Sequence, residues 1–202
     1  MSFFPEVERP AEPRPTRVET PIWVSPPSNE LPVPVAVTNI LARRPGAALC
    51  LRRIDVYRAG CMFALSVRAS RHADTTDDQW IDLMDNLQLH RPFRRRGAEG
   101  SLRLGVELPD GSRVIGGDMS RRYPFDGAEP DRPQLTVRGG GGGGSDEDYG
   151  YRIDAWLWPA PQAGSLRLVY DWPGLEINEG SITIETEPLI TARESVRSIW
   201  TQ

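Results

Sequence analysis

Residues 47–67 read AALCLRRIDVYRAGCMFALSV, and the phase of their apolar side chains decides the fold. Leu49 and Leu51 recur at a period of two, as in a strand with one covered face. Ile54 and Val56 do the same on the opposite parity. One extra residue at Arg52-Arg53, a β-bulge, brings all four to the same face. Beyond Arg58-Ala59-Gly60, which reads as a turn, Phe63, Leu65 and Val67 alternate again. The stretch therefore predicts an antiparallel hairpin with a bulge in its first strand.

Working outward, the same period recurs. Upstream, Val33, Val35 and Val37 alternate, and Pro34 among them suits an edge strand because it has no N–H to donate. Arg44-Pro45-Gly46 closes that segment. Downstream, Leu102, Leu104, Val106 and Leu108 precede the turn Pro109-Asp110-Gly111, and Arg113 to Ile115 return. Leu135 to Val137 form a short strand. Tyr149 to Trp158, Leu166 to Trp172, and Ile182 with Ile184 supply the remainder. Between residues 73 and 100 the pattern turns helical at Trp80, Leu83, Met84 and Leu87, with Asp77 placed to cap. Pro188 suits the first turn of a C-terminal helix whose stripe is Leu189, Ala192, Val196 and Ile199.

These signals predict an all-β chain: an antiparallel two-sheet, immunoglobulin-like sandwich over residues 33–202 with a short C-terminal helix. The expected core is Leu51, Ile54, Phe63, Leu65, Leu104, Val106, Leu157, Leu168, Tyr170, Ile182 and Ile184. Residues 1–32 hold eight prolines among mixed charges and read as a flexible Pro-rich tail, its last part lying along the domain or serving as a partner-binding peptide.

Composition narrows the function classes. The 24 basic residues are all Arg, yet the formal charge is −4, and the basic patches Arg94-Arg95-Arg96 and Arg121-Arg122 sit in expected loops. No nucleic-acid binder is expected from that balance. No apolar run approaches the ~18 residues of a membrane span, and no leader pattern opens the chain, so a cytoplasmic protein is expected. Cys50 and Cys61 fall on successive strands at different distances from the turn, out of reach of one another.

Catalytic and cofactor chemistry find no foothold. His72 and His90 are the only histidines, with no third group in a local motif to orient either. The acidic groups Asp74, Asp77, Asp78 and Asp146, Glu147, Asp148 do not match a calcium loop. Six glycines run from Gly139 to Gly144. A phosphate loop needs a Lys and a following helix, whereas here acidic residues follow. The run reads either as a poly-Gly loop linking strands or as backbone left bare for a close neighbour. Neither a cofactor nor a metal is expected.

The order of a glycine run, Ala155-Trp156-Leu157-Trp158-Pro159, a Pro-rich turn, Leu166 to Pro173 and an Ile-rich strand resembles a family of uncharacterised actinobacterial proteins. Leu102 to Gly111 fits the same pattern. The resemblance covers about residues 33–200 and implies a β-sandwich; it brings no activity and no functional residues.

The expected function is a non-enzymatic protein–protein interaction module with an unidentified protein partner. Candidate contact residues are Trp23, Gly140, Gly142, Tyr149, Trp156 and Trp158. A small-ligand or carbohydrate-binding domain using Trp156, Trp158 or Trp172 as stacking surfaces is the alternative, and an enzyme of unknown class comes third.

Overall fold

A computed structural model describes residues 20–87, 100–117 and 128–200. Strand β4 (Ala47–Val56) pairs antiparallel with β5 (Cys61–Ser70), and the register shifts between Leu51 and Arg53. The extra residue at that shift puts Leu49, Leu51, Ile54 and Val56 into one apolar cluster with Phe63, Leu65 and Val67. The parity change in the sequence is thus a bulge, and it is what lets a ten-residue strand keep one face on the core.

The described strands form three sheets. In the largest, β4 is followed by β5, then β9 (Asp148–Trp158), then β8 (Gln134–Gly144) at the edge. On the other side of β4 lie β2 (Val33–Val35) and β3 (Asn39–Arg44), each pairing with one half of it. Pro34 does occupy an edge. The second sheet runs β11 (Ile177–Glu185), β10 (Ser165–Trp172), β6 (Arg103–Glu107), β7 (Arg113–Ile115). A third is the short pair of β1 (Glu30–Leu31) and β12 (Arg197–Ser198). All strand pairs are antiparallel; a single parallel bridge, Gly117 to Thr136, ties the end of β7 to the start of β8.

One core joins the two larger sheets. It takes Leu51, Phe63 and Ile153 from the first, and Leu104, Leu168 and Ile184 from the second. Each large side chain fully removed from water contributes ~1.5–3 kcal/mol. Of the expected core residues, Ile182 alone is only partly buried.

Local chemistry corrects several expectations. Helix α1 (Asp77–Leu87) buries Trp80 and Leu87, but its cap is Thr76 rather than Asp77. Gln79 N–H donates to Thr76 Oγ1 and Thr76 N–H donates to Gln79 Oε1, a reciprocal capping box. Asp77 instead pairs with Arg71 at 2.5 Å. Helix α2 (Glu187–Glu194) buries Leu189 and Ala192, then stops, because the chain returns as β12 to pair with β1. Ile199 is therefore exposed and off the helical stripe. The boundary at residues 32 and 33 does not mark where packing begins, since Glu30 and Leu31 form β1 and Val24 is fully buried. The poly-Gly loop is not a loop: Gly139–Gly144 continue β8 and pair with β9 across a bulge between Gly139 and Gly142. Glycines have no side chain to show a period, so alternation alone ended that strand at Val137.

No helix among the described residues is long and apolar enough to cross a membrane. Both cysteines are free thiols, Cys61 beside the turn and Cys50 opposite Ser66 further along.

Candidate functional site

Five of the six predicted contact residues divide between the two ends of the β8–β9 pair. At one end, Gln134 stands opposite Trp158; at the other, Gly144 stands opposite Tyr149. At ~3.3 Å per residue, these ends lie roughly 30 Å apart. The structure brings Trp23, Trp156 and Trp158 together, and separately Gly142 and Tyr149, while Gly140 lies between the two ends against Arg152 and Asp154.

The tryptophan end is sealed. Successive side chains of β9 face opposite ways, so Ile153, Ala155 and Leu157 enter the core while Trp156 and Trp158 lie on the other face of the sheet. Tyr57 meets Trp156 edge-on at 5.4 Å between ring centroids, and Trp23 meets Trp158 at 6.3 Å. Residues 21–25 strap across this face. Trp156 Nε1 donates to the Ile22 carbonyl at 2.8 Å, and Arg138 donates to the Val24 carbonyl and to Ser25 Oγ. Trp156 and Trp158 are left 2% and 8% exposed, and Trp172 0%. A row of exposed indoles for stacking a sugar is therefore not present, which corrects that alternative. The signal for closure was Trp23 itself, a large apolar side chain in a polar lead-in.

Next to the strap, the same face carries charge. Asp55 is buried and accepts from Arg53 Nε at 2.8 Å. Burial, and then the Asp55 carboxylate, push the Asp154 carboxyl above its ordinary value, against the pull of Arg152, Arg53 and Arg52. No group of three His, Cys, Asp or Glu side chains among the described residues is arranged to hold a metal.

The glycine end is open. A Cβ on Gly142 would stand 2.5 Å from Tyr149 Oη, and one on Gly144 would run into the Asp148 carbonyl. Gly141 has φ +85°, which only glycine adopts without strain, and forms the bulge. A Cβ on Gly143 meets nothing. Along the outer edge of β8, Gly117 N–H donates to the Leu135 carbonyl and accepts, through its own carbonyl, from Val137 N–H. Backbone groups of 135 and 137 thus point away from β9, and so by alternation do those of Gly139. Beyond the bulge, Ser145 N–H turns inward to the Asp148 carbonyl, so Gly142 and Gly144 point outward. No described strand pairs with this edge past Val137.

No family model, curated protein or solved structure matches this chain.

Beside the glycines, the β3–β4 turn and the end of β5 complete a cleft of about 570 Å³. Arg43, Arg44, Arg68 and His72 line it, with Asp148 as its one carboxylate. None of these arginines stood out in the sequence, since each is one basic residue in an alternating strand. Only the pairing of β4 with β5 and of β5 with β9 collects them. His72, read as an exposed loop residue, is exposed on the cleft wall. His90 and the patches Arg94–Arg96 and Arg121-Arg122 lie outside the described residues.

Proposed function

We propose that the protein is a non-enzymatic protein–protein interaction module, an immunoglobulin-like sandwich of its two larger sheets, that takes an extended partner segment along the edge of β8. The observation that carries this reading is the outward-facing backbone of Gly139, Gly142 and Gly144, exposed or half-exposed and without a described strand beside it. Sheet edges are ordinarily blunted by charge, proline or brevity. This one is long and bare of side chains from Gly139 to Gly144, so a partner strand meets no side chain of β8 there and gains main-chain hydrogen bonds. The shared core of the two sheets supports the sandwich reading. A cytoplasmic location, and membership of the uncharacterised actinobacterial family that the Trp-x-Trp-Pro run resembles, belong to the same reading and add no activity.

Affinity capture with the full chain, followed by hydrogen exchange on the recovered complex, tests it. Gly139→Pro removes an outward N–H, and Gly143→Ala is the control. Partner recovery lost with the first and kept with the second, with β8 amides protected in the complex, is the expected result. Equal recovery with both variants, or protection confined to other strands, would overturn it.

A further inference from the structure

The cleft at the glycine end has a chemistry that strand docking does not require. Its walls come from three parts of the chain: Arg43 and Arg44 at the end of β3, Arg68 and Ser70 at the end of β5, and the β8–β9 hairpin. Hydrogen bonds from Ser70 N–H to the Gly46 carbonyl and from Arg71 N–H to the Glu147 carbonyl hold these parts together. Through their pairing with Ala48, Arg43 and Arg68 share one face of the sheet, whereas Arg44, paired with Ala47, borders the cleft from the other face; Asp148 is the one carboxylate in the lining, in a chain whose formal charge is −4. Arg43 and Arg68 make no ion pair among the described residues, and Arg44 pairs with the exposed Glu176 at 3.7 Å and donates to the Pro45 carbonyl. Both Arg43 and Arg68 act on the Cys50 thiol, so their charges reach the same neighbourhood.

We infer that this cleft is an anion-binding site for a phosphoryl group. A guanidinium presents a rigid fork of donors that fits phosphoryl oxygens two at a time. A carboxylate uses one such fork, whereas a phosphoryl group with three oxygens uses several, and Arg43 and Arg68 offer two from one face. Gly143 and Gly144 line the wall beside Asp148, while Gly150 lies directly under Arg68, whose Nη1 stands 2.8 Å from where a Cβ on Gly150 would be, so that glycine makes room for the guanidinium. The acidic residues after the glycine run argue against a phosphate loop built from that segment alone. The cations come from elsewhere in the chain, and the site is a tertiary one. It does not depend on strand docking, and either can fail without the other.

The test is an amide-resolved NMR titration of the full chain at constant ionic strength, with pyrophosphate, inorganic phosphate, acetate and a glutamate-rich peptide as separate probes. Pyrophosphate is expected to shift the amides of Gly143, Gly144 and Gly150 saturably. The double variant Arg43→Gln/Arg68→Gln is expected to weaken that binding by about tenfold or more, a ΔΔG of about 1.4 kcal/mol. Arg44→Gln should weaken it less, and Arg113→Gln, on the distant β7 edge, not at all. Amide dispersion in each variant reports that the fold is kept. Overturning results are shifts that never saturate, equal binding to the Arg43/Arg68 double variant, or tighter binding of acetate or the glutamate peptide than of pyrophosphate.

Discussion

Tyr170 donates its hydroxyl hydrogen to the backbone carbonyl of Leu41, so a side chain of β10 is hydrogen-bonded to the main chain of β3 in the other large sheet. The bond is buried, and it adds to the Gly117 bridge to β8 and the exposed Arg44–Glu176 pair as a polar tie between two layers that meet mainly through apolar contacts. Tyr170→Phe keeps the ring and leaves the Leu41 carbonyl unpaired. A loss of about 1–2 kcal/mol is expected. Urea unfolding should show a lower midpoint at unchanged slope. An unchanged midpoint would mean the bond contributes nothing net.

The glycine run offers a pair of substitutions one residue apart with opposite outcomes. Gly143→Ala enters open space and trims the freedom of the unfolded chain, so a gain of ~0.4–1 kcal/mol is expected. Gly144→Ala drives its methyl into the Asp148 carbonyl and should cost ~2–3 kcal/mol. Thermal melts of the two variants beside the parent decide the matter. Were the run a slack linker, both substitutions would leave the melting temperature alone.

Asp154 supplies a pH signature. Burial and the neighbouring Asp55 raise its folded pKa above the ordinary 3.8, so the folded chain holds a proton that the unfolded chain has released. Stability therefore falls as pH rises through the window between those two pKa values, and the cost is complete above the folded one. Asp154→Asn should stabilise at pH 7, by less than about 1 kcal/mol because the group is partly solvated. The gain should shrink with acidification and vanish below roughly pH 4. A gain that is constant from pH 7 to pH 3 would remove charge as its cause.

The strap over the tryptophan face is open to a similar check. Trp23→Ala removes the ring against Trp158 and should cost about 1 kcal/mol. It should also raise acrylamide quenching of the remaining indole emission, as Trp156 and Trp158 gain contact with water. Quenching identical to the parent would show that residues 21–25 cover the face without Trp23.

Much of the fold was legible because it rests on local rules. The bulge at Arg52-Arg53 shows as a change of parity, and the turns at Pro45-Gly46 and Asp110-Gly111 show because Gly46 and Gly111 adopt positive φ. Helix α1 shows in the spacing of its apolar residues, although its cap was read one residue late. Of the candidate site, Tyr149 and the glycines were legible as unusual. Their arginine neighbours were not, because a single Arg in a strand has the same pattern wherever its neighbours in space come from.

By itself the sequence determined which side chains share a face, since a period of two and a phase shift are properties of consecutive residues. Only the tertiary structure decided that six glycines form an edge strand and that Arg43 and Arg68 stand beside them. A residue without a side chain carries no period, and strand register brings together positions that nothing in their local sequence connects.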